Sequence, residues 1–104
     1  MDMTVEAEFH QAMMEVYKVA KDHGYYATYF KGMIDEYGGV EVAKRLLAKQ
    51  GIQSGLMRLR ELDLLDHSME AAVLQERFRS LFTEAEVQEA RQRLEQLDFF
   101  RGSS

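Results

Sequence analysis

Apolar positions recur at steps of three and four along most of this chain, and no segment shows the sustained alternation of a strand. Val5, Phe9, Ala12, Met13, Val16, Tyr17 and Ala20 form one such face and predict a helix from about Thr4 to His23, closed by Gly24. Tyr26, Tyr29, Phe30, Met33, Ile34 and Tyr37 repeat the pattern, with Gly38-Gly39 as the stop. That stripe places Tyr26, Tyr29 and Tyr37 in the core and leaves Tyr25 as the free tyrosine. A third helix, Val40 to Lys49, turns Ala43, Leu46 and Leu47 inward and Lys44, Arg45 and Lys49 outward, and Gly51 ends it. Ser54 is placed as the N-cap of a short fourth helix with Leu56, Leu59 and Leu62 inward.

After Leu64-Leu65 the pattern restarts. Asp66 or Ser68 caps a fifth helix carrying Met69, Ala72 and Val73. Phe78, Leu81 and Phe82 lead into Thr83-Glu84-Ala85-Glu86, the spacing of a capping box, in which threonine and glutamate reciprocally satisfy free amides. The last helix runs to about Asp98 on Val87, Ala90, Leu94 and Leu97. The fold class is all-α, a compact bundle of five to six short helices. Residues 1–100 form a single domain, and 101–104 a disordered tail or cloning remnant. Proline is absent, so helices run uninterrupted and glycine supplies the punctuation.

Composition narrows the class. The 104 residues suffice for one core and are too few for two. Cysteine is absent, which removes disulfides, thiolate metal sites and thiol nucleophiles and suits a reducing cytoplasm. Asp2, Glu6, Glu8 and Glu15 interrupt any signal-peptide pattern, and no apolar run approaches the roughly 20 residues of a membrane span. The expectation is a cytoplasmic protein without a membrane partner.

Charge is where the chain points outward. Residues 39–60 carry Lys44, Arg45, Lys49, Arg58 and Arg60 against Glu41 alone, a local +4, between flanks of −4 and −5. A basic island in a protein of net charge −5 suggests a face for an acidic partner. An alternative is nucleic-acid binding by a helix-turn-helix-like segment at 40–62, with Arg58 and Arg60 on the second helix. Against it, position 47 is Leu where a tight helix crossing favours a small residue. Arg58 and Arg60 also lie two apart, off a common face, and Glu61, Asp63 and Asp66 follow to repel phosphate.

Other chemistry is thin. Histidines 10, 23 and 67 lack the spacing of a helical metal pair, and Asp63, Asp66, His67 and Glu70 suit helix-start electrostatics better than a metal, so no metal or other cofactor is assigned. Ser54, Ser68 and Ser80 sit at caps and turns, and Asp35-Glu36 point about 100° apart on a helix. Gly38-Gly39 lacks the lysine and hydroxyl of a phosphate loop. Met14 falls off the first helix's stripe, toward solvent. Phe99-Phe100 either fold back on the core, the favoured reading, or form an apolar contact, leaving monomer and homodimer both open.

The segments YYATYFKGMIDEY at 25–37, GGVEVAKRLL at 38–47, SGLMRLRELDLLDHSMEAAVL at 54–74 and LFTEAE at 81–86 together resemble a small bacterial all-helical family. Its members occur as short uncharacterised proteins and as segments of longer chains. The resemblance spans residues 9–97 and implies a compact module without assigning an activity. The resulting expectation is a small non-catalytic interaction module, an accessory protein for an acidic protein surface. Nucleic-acid binding comes second and an enzyme third.

Overall fold

Thr4 stands just outside the first helix, where its hydroxyl accepts the Ala7 amide at 3.1 Å and satisfies one of the free donors of the first turn. The computed structural model describes residues 3–101. These hold six α-helices: α1 (Val5–Asp22), α2 (Thr28–Tyr37), α3 (Gly39–Leu47), α4 (Ser54–Glu61), α5 (Met69–Val73) and α6 (Glu84–Gln96). Three 3₁₀ turns (Leu65–His67, Glu76–Leu81, Phe99–Arg101) complete the set, and no strand occurs among the described residues. Residues 102–104 of the expected tail lie outside the described residues, whereas the Arg101 backbone completes the last turn.

Helix α1 packs against α2, α3, α5 and the 76–81 turn, while α6 closes on α5 and α3. The main core follows from this arrangement. Phe9 and Met13 of α1, Ile34 of α2, Val42 and Ala43 of α3, Val73 of α5 and Ala90 of α6 are all completely buried. The Phe9 ring meets Phe78 and Phe82 edge-on, each at 5.0 Å between centroids. Such pairs add about 0.5–1.5 kcal/mol to the gain from burial. Met14, expected outside, is half-buried against this core because the 3.6-residue repeat makes the stripe of α1 wider than the sequence reading allowed.

Helix α4 wedges between two smaller clusters. Leu56 joins Leu65, Leu94 and Leu97, and Leu59 joins Ala20 and Leu64, with Leu62 half-buried beside them. It starts at Ser54 with Gln53 as N-cap and no side-chain cap, so Ser54 does not do the capping expected of it. Ser68 does cap α5: its hydroxyl accepts the Ala71 amide at 3.1 Å and donates to the Leu65 carbonyl at 2.7 Å. The Thr83–Glu86 capping box forms at α6 as expected.

Two glycines share the α2–α3 corner. Gly38 takes φ +86° and ψ 158°, a conformation open essentially to glycine. Gly39 is the first residue of α3, and a Cβ there would lie 2.6 Å from the His10 Cα, so α1 and α3 meet backbone to backbone. Its amide donates to His10 Nδ1 at 3.0 Å, an occupant for a helix N-terminus the sequence left without one. Glycine does not supply all the punctuation. Helices α4 and α6 end at Asp63 (φ 60°) and Asp98 (φ 61°), and Gly55 lies inside α4. Aspartate tolerates the left-handed region better than most side chains.

Candidate functional site

The five cations of the basic island do not form one face of free charge. Lys44 Nζ lies 2.8 Å from Glu86 Oε1 and its ammonium sits 5.2 Å from the Phe82 ring centre. Arg45 pairs with Glu41 at 3.0 Å and stacks its guanidinium 3.9 Å from the Tyr37 ring centre. Arg58 pairs with Glu61 at 3.1 Å. Of these five, the Lys49 and Arg60 side chains are the two with no ion-pair partner among the described residues. Helices α3 and α4 also make little contact with each other, since α3 packs on α1, α2 and α6 while α4 leans on the 65–67 turn.

The acids that neutralise this region work at two levels. Glu86 also accepts the Thr83 amide at 2.8 Å, closing its capping box. Burial works to raise its pKa, but the bonds from Lys44 and the Thr83 N–H outweigh it and hold the carboxyl below its ordinary 4.5.

A fourth arginine organises the interior. Arg93, 1% exposed, donates to Glu89 (2.8 Å), Glu70 (3.0 Å) and the carbonyls of Leu46 (2.9 Å) and Lys49 (2.7 Å). It therefore ties α6 to α5 and caps the C-terminal end of α3, whose last carbonyls have no partner within the helix. Glu70 is buried with it, and burial pushes its carboxyl above 4.5, only partly offset by its own backbone amide and by Arg93. Among the described residues no buried polar side-chain atom is left without a partner. The sequence did carry a signal for Arg93. It stands three residues after Ala90 and four before Leu97, on the apolar stripe of α6, with Glu89 one turn back. A charge on a buried stripe requires buried partners.

Asp63, Asp66, His67 and Glu70 do not converge. His67 lies 3.5 Å from exposed Asp66, Asp63 sits in the turn after α4, and Glu70 is committed to Arg93. No group of three or more candidate metal ligands occurs among the described residues. Ser54 and Ser80 are exposed, Ser68 is a buried cap, and Asp35 is held by Lys31 at 2.6 Å.

One concave feature of the surface is a half-open groove of about 430 Å³ between α1, α2, α4, the end of α3 and the start of α5. Val16, Ala20, Leu46, Leu56 and Leu59 make its walls, Glu70 reaches it from beneath, and Lys49 stands at its edge. Tyr26 and Tyr29, expected in the core, stand here 61% and 74% exposed. Tyr37 is exposed too, under Arg45. The reason is the length of α2. It begins at Thr28, so Tyr26 precedes the helix and leaves its phase, and α2 finds cover only for Ile34, Phe30 and Met33. Tyr25, expected free, is instead packed against the Ala20–Leu59–Leu64 cluster.

The C-terminal aromatics divide the two readings between them. Phe99 folds back on the Leu56–Leu94–Leu97 cluster, and Phe100 is half-exposed with its ring 5.2 Å from that of Phe99. No helix among the described residues is long and apolar enough to cross a membrane. Comparison with protein-family models, curated proteins and solved structures finds no match.

Proposed function

We propose that the protein is a small non-catalytic helical interaction module that receives an acidic partner. The observation that supports this reading is the division among the five cations of the basic island. Lys44, Arg45 and Arg58 are held by Glu86, Glu41 and Glu61, whereas Lys49 and Arg60 keep their charge available. Two free cations in the island suit a carboxylate-bearing surface better than a phosphate backbone, whose grip rests on many neutralised phosphates. The net charge of −5 adds repulsion against nucleic acid over the rest of the surface. On the segments at 25–37, 38–47, 54–74 and 81–86 we also propose kinship with a small bacterial all-helical family.

Fluorescence anisotropy with labelled acidic peptide and labelled duplex DNA, at an ionic strength of about 0.15 M, separates these ligands. The acidic peptide binds, and the Lys49→Glu/Arg60→Glu variant loses it. DNA binding with a steep salt dependence, lost in the same variant, would overturn the reading in favour of nucleic acid.

A further inference from the structure

The groove has three properties that together describe an occupant. Its walls are apolar, its volume of about 430 Å³ is at the lower end of the roughly 300–1,000 Å³ of ligand clefts, and its edge carries exposed tyrosines. Two charged residues border it, and they are not equivalent. Glu70 is buried and neutralised by Arg93, so its charge is spent inside the protein. Lys49 is exposed and unpaired, and its backbone carbonyl is fixed by Arg93, which holds the lysine's root at the groove while leaving its ammonium free. The uncompensated charge at this site is positive.

We propose that this groove is the docking site for a short segment of a partner protein that presents one large apolar residue beside an Asp or Glu. The inference rests on the acidic-partner reading above and assigns it a place. The apolar anchor fills the space between Val16, Leu46 and Leu59, and the acid pairs with Lys49. Tyr26 and Tyr29 favour a protein segment over a small molecule. Both line the groove yet are exposed over most of their surface, so a segment that runs past the apolar anchor can cover them, and such tyrosines are typical anchors of protein interfaces.

Random-peptide display against the intact protein supplies the probe, with the enriched peptides synthesised and measured by anisotropy. Expected are sequences with a Leu, Met, Phe or Trp next to Asp or Glu. Their affinity falls by about tenfold or more with Thr28→Trp, which fills the groove, and with Lys49→Glu, and is unchanged by Arg45→Ser. Ser54→Trp plugs the opposite wall and repeats the test should Thr28→Trp disturb the start of α2; circular dichroism checks both. Amide shifts on binding cluster at 26–30 and 54–56. Acidic peptides that bind equally to both plugged variants overturn the groove and leave the acidic-partner reading standing. Groove-dependent peptides without an acid overturn the partner chemistry and with it that reading. Basic peptides, or no enrichment, overturn both.

Discussion

Arg58 and Arg93 carry the same guanidinium in two regions of this molecule. Arg58 lies on the outside of α4, its side chain 48% exposed, with Glu61 one turn on at 3.1 Å. Arg93 lies in the interior with two carboxylates and two backbone carbonyls around it. An exposed pair competes with water and salt and is worth about 0–1 kcal/mol. A buried charge has lost its water, so each partner becomes necessary once the charge is inside. The basic cluster that stands out along the chain is thus energetically light, and one buried arginine among the several of the acidic C-terminal third is heavy.

That contrast breaks most visibly at Arg93. Arg93→Ala leaves Glu70 buried without its cation, removes the side-chain donor of the Lys49 carbonyl and leaves the Leu46 carbonyl only backbone amides, and should cost about 3–5 kcal/mol in urea denaturation. A loss below about 1 kcal/mol, the scale of surface pairs, would place Arg93 with the exposed cations. Because Arg93 anchors the end of α3, the same change should loosen the groove edge at Lys49, visible as faster amide exchange at 46–49.

The acids give the comparison a pH axis. Glu70 titrates above 4.5 when folded, so just above 4.5 the folded state holds the extra proton and stability falls as pH rises through the folded value. Glu86 titrates below 4.5 when folded, so its contribution is present above 4.5 and is lost as pH falls through the folded value. Glu70→Gln should flatten the upper slope of stability against pH and Glu86→Gln the lower one. Identical profiles for wild type and both variants would remove this account.

Smaller effects belong outside. Lys44→Met should cost about 1 kcal/mol or less, because Glu86 keeps its bond to the Thr83 amide, and should shift the acid-side loss of stability to higher pH. Arg58→Ala/Arg60→Ala should change stability by no more than about 0.5 kcal/mol. A larger loss would mean that α4 depends on its charged side.

What could be seen in the chain divides along the same line. The helices, the Thr83–Glu86 box and the inward leucines of α4 were legible, because each depends on residues within a turn or two. The exposure of Tyr26, Tyr29 and Tyr37 was not, because a stripe states which residues share a face and not whether another element arrives to cover it. Helix α2 covers Ile34 and runs out of neighbours. Glu70 and Arg93 are 23 residues apart, and Arg93 and Leu46 are 47, so their meeting is a property of the packed bundle. The groove is the same kind of object, its walls contributed by five helices. Of the five cations read as a face, the chain alone did not reveal that Glu86 takes Lys44, since those two are 42 residues apart.

A double-mutant cycle at Glu70 and Arg93 tests the central claim, that one buried ion pair rather than the basic island holds this region together. Glu70→Leu and Arg93→Met are each measured alone and together by urea denaturation at neutral pH. The account predicts that each single change costs several kcal/mol and that the double variant is more stable than either, because neither charge is then buried alone. Simple addition of the two losses, with the double variant the weakest of the three, would contradict it.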